Sequence, residues 1–180
     1  MIKSSQKGTT RQLLISGEIE WDTLGEVYEH LVGGEPYAQI LLLIASQGGD
    51  RDAGISLLSF LRGLSSTITT VAVGKVYSAA IYPFLASKDR RYALPDAMFL
   101  FHPTTIDMEG ENYVNTLREN VEADSLDSDH LRILLNSMSI PIPVLSHMTS
   151  PQTSIFISAK SAEQYGLVTK VIEKFSEILA

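Results

Sequence analysis

A chain of 180 residues with 44% hydrophobic side chains is long enough to bury a core as a single domain without disulfides or structural metal. It contains no cysteine, which removes disulfides, thiolate catalysis and cysteine metal sites and leaves hydroxyl, imidazole and carboxylate groups to carry any chemistry. A formal net charge of −7 with no basic block speaks against nucleic acid or anionic lipid as a main partner, and no apolar run approaches the length of a membrane span. The opening residues, Met1 to Gln12, are polar and lack the apolar core of a signal peptide, so a cytoplasmic location is expected.

In chain order, residues 1–10 are expected to be a flexible segment and residues 11–180 a single domain. Gln12 to Ser16 reads as a first short strand. Asp22 is expected to cap a helix whose one face carries Leu24, Val27, Tyr28, Leu31 and Val32, stopped by Gly33 and Gly34. Ile40 to Ala45 is apolar without alternation, which suits a strand buried on both faces of a mainly parallel sheet. Leu57, Leu58, Leu61 and Leu64 stripe the following helix. Thr67 to Gly74 is β-branched and strand-like, Ser78 to Ser87 is expected as a helix, and Met98 to His102 as another strand. This alternation predicts βαβ crossovers in an α/β layer fold. A long helix is expected over 112–137, with Tyr113, Leu117, Val121, Leu131, Leu134 and Leu135 as apolar contacts and a polar middle. Pro141 and Pro143 end it. Ser158 is expected to cap a short helix closing at Gly166, before a final strand from Leu167 to Glu173.

A parallel α/β sheet gathers functional groups in the loops beyond the carboxyl ends of its strands, and three segments fall there. In the first, Ser46-Gln47-Gly48-Gly49-Asp50, the glycines allow either a plain strand-to-helix turn capped by Asp50 or amide groups that face a cleft as oxyanion donors. In the second, Ser78 follows a strand and begins a helix, as a cap or as a nucleophile favoured by helix-terminal N–H groups. In the third, His102 closes a strand between Phe101 and Pro103, as a partly buried structural residue or as a general base. Together they form the set that acyl transfer requires: amide donors, a hydroxyl nucleophile and an imidazole base.

Four segments, in order, resemble the proteolytic subunit of the Clp protease (ClpP), a serine-peptidase family. Arg91 to Pro103, "RRYALPDAMFLFHP", is similar to the family's "RYALP" segment, its following strand and its catalytic histidine. Ser78 falls at the family's nucleophile, residues 46–50 at its Ser-Pro-Gly-Gly oxyanion turn, and Phe156 to Glu173 at its "FLSA…EYGLVD" ending. The resemblance implies a crotonase-like spiral of βαβ units with a protruding handle helix, which accounts for the polar middle of the helix expected over 112–137. It implies Ser78 as nucleophile, His102 as base and then acid, and Gly48, Gly49 and Ala79 as the oxyanion and substrate-binding group, with the Gly49 and Ala79 amides as donors. It also implies unfolded polypeptide as substrate, a homo-oligomer of two stacked heptameric rings, an AAA+ ATPase unfoldase as partner, and no cofactor.

The chain departs from the family pattern at several places. Ser154 stands where the family has its third residue, an aspartate, and a hydroxyl cannot stabilise imidazolium as a carboxylate does. Ala80 replaces a glycine two residues after the nucleophile, Gln47 replaces the proline before the two glycines, and Pro83 disfavours a regular helix start at Ser78. Asp107 and Glu109 lie just beyond His102 as candidate replacement acids. Only about ten residues precede the first expected strand, so the N-terminal segment that lines the axial pore in the family is expected to be shortened here, which weakens the case for an ATPase partner. Two alternatives to an active peptidase follow: a catalytically weak or silent ring subunit, and a crotonase-type acyl-CoA enzyme using the same paired amides. His30, His130 and His147 lack metal-ligand spacing and Asp50 and Asp52 complete no calcium loop, so no metal is assigned.

Overall fold

The computed structural model describes residues 2–32, 37–103, 125–126, 128–136, 138–150 and 152–178. In order, the elements are β1 (Ile2–Lys7), β2 (Thr10–Ile19), α1 (Trp21–Val32), β3 (Gln39–Gly49), α2 (Arg51–Gly63), β4 (Thr67–Tyr77), a 3-10 turn (Ser78–Ala80) and α3 (Ile81–Phe84). After them come β5 (Arg91–Ala93), β6 (Met98–Phe101), a helical stretch α4 over 128–135, α5 (Ile142–Met148), β7 (Ile155–Ser158), α6 (Ala159–Gln164) and β8 (Lys170–Val171).

β2, β3 and β4 pair in parallel, and at β4 the sheet forks. The early part of β4, Thr70 to Ala72, pairs with β5, which continues to β8; its last residues, Lys75 to Tyr77, pair with β6, which is antiparallel to β7. The apolar run of β3 explains why the sheet is covered on both sides. Ile40, Leu42 and Ile44 enter the main core with Leu57, Leu58 and Leu61 of α2, while Leu41 enters a second cluster with Val71 and Ile172, against which Leu43 packs. Among the described residues no helix is long and apolar enough to cross a membrane.

Several local expectations are corrected. In place of the flexible segment expected over residues 1–10, Ile2 to Lys7 pairs antiparallel with β2, from Ile2 opposite Ile15 to Lys7 opposite Thr10. The hairpin forms although β1 is polar, because the backbone ladder and the Ile2 N–H donated to Glu26 (2.8 Å) hold it against β2 and α1. Asp22 sits inside the first turn of α1 rather than capping it; Thr23 takes the capping part, its Oγ1 accepting the Glu20 N–H at 3.1 Å. Tyr28 and Val32 are 52% and 45% exposed, so only part of the expected face of α1 is buried. β4 continues past Gly74 to Tyr77, and the helix expected from Ser78 to Ser87 contracts to a 3-10 turn and one turn of α3. Pro83 gives the reason, since it has no N–H to donate to the Ala79 carbonyl. The last expected strand is reduced to β8, while α6 is capped as expected by Ser158, whose Oγ accepts the Ser161 N–H at 3.2 Å. Leu135 is buried and Leu131 and Leu134 pack on the core, whereas Gly33, Gly34, Tyr113, Leu117 and Val121 lie outside the described residues.

Arg91, at the start of β5, ties two loops to the sheet. Its buried guanidinium donates to the carbonyls of Leu167 (2.8 Å), Gly166 (3.0 Å), Ser87 (2.9 Å) and Lys88. Burial lowers its pKa, with nearby Arg62 acting in the same direction. Arg91→Ala, which would strip four carbonyls of a charged donor, is expected to cost about 2–4 kcal/mol of stability, read as a lower thermal unfolding midpoint.

The Glu177 carboxylate is drawn down from 4.5 to about 2, first by its hydrogen bond from Lys170 (2.7 Å) and then by the backbone N–H groups of Lys174 and Glu173. A carboxylate with a depressed pKa stabilises the fold above its unfolded value and loses that contribution as pH falls through the folded one. Hydrogen-exchange protection over 173–178, taken relative to the intrinsic exchange rate at each pH, is therefore expected to be high at neutral pH and to fall between pH 4.5 and about 2. Unchanged protection at pH 2 would contradict this.

Candidate active site

Three strand ends meet at one edge of the forked sheet. β3 ends in Gly48 and Gly49, β4 leads directly into Ser78, and β6 is followed by His102. The β4–β6 register, with Tyr77 opposite Leu100, brings His102 to within two residues of the level of Ser78.

Ser78 is the one described residue other than glycine with a left-handed backbone, at φ +53°. Such a conformation costs about 1–3 kcal/mol and persists where surrounding structure enforces it. Here the chain must leave an extended strand and enter a 3-10 turn within one residue, and Ser78 is the first residue of that turn while Tyr77 holds the cap position, so the plain capping role is not what the structure shows. Gly48 permits the geometry. Its φ is +99°, and a Cβ on it would stand 2.6 Å from Ser78 Cβ and 2.8 Å from the Tyr77 carbonyl oxygen. Gly49 is equally constrained: at φ +148°, a Cβ would lie 2.8 Å from the Ile19 nitrogen. Asp50 caps α2 by accepting the Ala53 N–H at 2.8 Å, so the turn of 46–50 is the capped strand-to-helix turn that its sequence allows.

Gly49, Ser78, Ala79 and His102 line one cleft of about 480 Å³. Ile81, Tyr82, Leu100, Leu131 and Met148 form its apolar wall, and Asp50, Arg51 and Asp52 its polar rim. Gly48 does not face this space. Its N–H is donated to Ser46 Oγ (3.0 Å), so it sits as a spacer beneath Ser78, while Gly49 and Ala79 are the members of the expected trio that line the cleft. Among the described residues no hydrogen bond joins Ser78 to His102; catalytic pairs of this type tighten when substrate closes the site.

His102 is half-buried, and its Nδ1 lies 2.6 Å from the Pro103 carbonyl oxygen. The β6–β7 register sets Phe101 opposite Ile155, and one further step sets His102 opposite Ser154. Ser154 is nevertheless exposed and makes no hydrogen bond among the described residues. Asp107 and Glu109 lie outside the described residues. His30 and His147 are not among the residues that line the cleft, while His130 stacks on Tyr82 of the cleft wall with ring centroids 6.4 Å apart. Among the described residues no group of three or more His, Asp or Glu side chains is placed to hold a metal ion.

Two supporting residues escaped the sequence reading. Ser46, only 2% exposed, fixes Gly48 through the bond just described. Gly54 of α2 lets that helix approach the Ser78–Ala80 turn, since a Cβ there would lie 2.7 Å from the Ala79 carbonyl oxygen. The signal for Gly54 was available: glycine within a helix costs about 1 kcal/mol relative to alanine, so close contact is a reason for its presence.

Comparison with known proteins agrees with this geometry. The sequence model described as Clp protease matches residues 4–175. The chain belongs to the Clp protease family. Among curated Clp relatives, it is 30% identical over 173 residues to the ATP-dependent Clp protease proteolytic subunit 2 of Borreliella burgdorferi, covering 91% of this chain and 83% of that protein. The subunit of the same name from Treponema pallidum is 27% identical over 178 residues, covering 94% and 85%, and that of Treponema denticola is 25% identical over 176 residues with the same coverage. A solved Clp structure, a ClpP1 mutant from Listeria monocytogenes, superposes with a TM-score of 0.76 at 23% identity over 92% of each chain, and the expected ClpP/crotonase-like fold is thereby confirmed.

Gly48→Ala is expected to lower kcat for peptide hydrolysis by about 10²-fold or more, because both the left-handed backbone and the contact with Ser78 exclude a methyl group. A variant that stays folded by circular dichroism and keeps wild-type kcat would contradict the placement of Gly48 beneath the nucleophile.

Proposed function

We propose that this chain is a serine endopeptidase acting on unfolded polypeptide, with Ser78 as nucleophile and His102 as general base. The observation that carries the reading is the left-handed Ser78, held over Gly48 at a strand end and sharing one cleft with His102, Gly49 and Ala79. His102 Nε2 takes the Ser78 hydroxyl proton as Oγ attacks the scissile carbonyl carbon. Negative charge then collects on the carbonyl oxygen, where the Gly49 and Ala79 N–H groups stabilise it. The C–N bond breaks, the leaving amine receives the proton from His102, and an acyl ester remains on Ser78. Water, deprotonated by the same imidazole, releases the carboxylic acid and restores the serine.

The names of the relatives describe subunits of an ATP-dependent protease, which supports assembly with an ATPase partner for this chain; we read the assembly as a homo-oligomer of two stacked heptameric rings with an AAA+ ATPase, in the cytoplasm. The chain from β1 onward is read as a single peptidase domain. A second reading, a catalytically silent ring subunit, is favoured by one observation, the absence of a carboxylate at position 154.

A fluorophosphonate probe separates the two. Labelling of the assembled wild-type protein, lost in Ser78→Ala together with peptide hydrolysis, is the expected result. An assembled protein that is neither labelled nor hydrolytic would leave the silent subunit as the function.

A further inference from the structure

We infer that the main-chain carbonyl of Pro103 substitutes for the carboxylate missing at position 154, holding His102 in the tautomer that can accept the Ser78 proton. The inference rests on the reading of Ser78 and His102 as nucleophile and base.

A carbonyl oxygen can only accept a hydrogen bond, so at 2.6 Å from Nδ1 it requires that nitrogen to carry the proton of the neutral ring. Nε2 is then left with its lone pair, as a general base must be. This orienting task is the one that an acid performs in a serine-protease triad, and there a wrong tautomer alone costs about 10⁴ in rate. Ser154 occupies the matching register position opposite His102 but is exposed and does not bond to the ring, so the orienting contact has passed from the neighbouring strand to the next residue of the same chain.

The dipeptide itself favours this contact. Pro103 has its φ locked near about −65°, and a residue before proline is biased to extended backbone, so covalent structure narrows two of the torsions that separate the ring from the carbonyl. What the carbonyl lacks is full negative charge. It fixes ring orientation and tautomer while stabilising the imidazolium formed during attack less than a carboxylate would. The expected enzyme is active and slow, and Ser154→Asp is expected to raise kcat by at least tenfold through the added charge.

Pro103 acts through His102 and is a positioning residue, so the test must weaken its carbonyl without changing a side chain. Replacing Thr104 by its α-hydroxy acid converts the amide after Pro103 into an ester, whose carbonyl is a poorer acceptor. The expected outcome is a fall in kcat of about tenfold with KM unchanged, and a smaller effect of Ser154→Ala. Solid-state 15N spectra of histidine-labelled protein, with the His102 signal assigned by difference from His102→Gln, are expected to show a protonated Nδ1 in wild type. A resting His102 protonated on Nε2, or a Ser154→Ala effect larger than that of the ester, would overturn the inference. Absence of fluorophosphonate labelling in wild type would remove the hydrolase reading instead, and the nitrogen spectrum would still decide whether Pro103 holds the ring.

Discussion

Everything at the catalytic edge depends on how closely two adjacent strands can end. Ser78 departs from β4 with a backbone that non-glycine residues avoid, and the space for that turn exists because Gly48, on the neighbouring strand, has no side chain. The strain is local, while what enforces it is distributed. Ser46 holds Gly48, Gly54 admits α2 to the far side of the turn, and the parallel ladder from β2 to β4 keeps the two strand ends level. Remove any one of these and Ser78 can relax toward ordinary backbone, carrying its hydroxyl away from the cleft.

Sequence made the central part of this arrangement legible because its signals are local. Unbroken apolar character in Ile40 to Ala45 identified a strand covered on both faces, and the two clusters that share its alternating residues bear this out. Adjacent glycines, a serine after a strand and a histidine closing another were readable as groups at one sheet edge, and Gly49, Ser78, Ala79 and His102 line one cleft. Pairing information was less legible. The polar strand β1 carries no alternation to betray it and exists because β2 offers a free ladder, which is a property of the partner. β5 and β8 are too short for periodicity and are set by the fork in β4 and by the Arg91 bonds to loops about 75 residues away in sequence. That Gly48 lies beneath Ser78 while Gly49 lines the cleft is not legible in two identical neighbouring residues, since it turns on the bond from the Gly48 N–H to Ser46.

The contrast between His102 and Ser154 shows that shared register does not by itself make a contact. β6 and β7 still align the two positions, yet the ring bonds to its own chain. A strand pair therefore guarantees that two residues are neighbours, and side-chain chemistry decides whether they interact.

The fork in β4 has a corollary for how such a chain changes over generations. One strand answers to two masters, with Thr70 to Ala72 beside β5 and Lys75 to Tyr77 beside β6. A change in the former stretch would bear on the sheet as a whole, whereas a change in the latter would bear on the turn at Ser78. A lineage could thus lose its chemistry while keeping its architecture, or retune its architecture without touching its chemistry, by accumulating changes a few residues apart on a single strand.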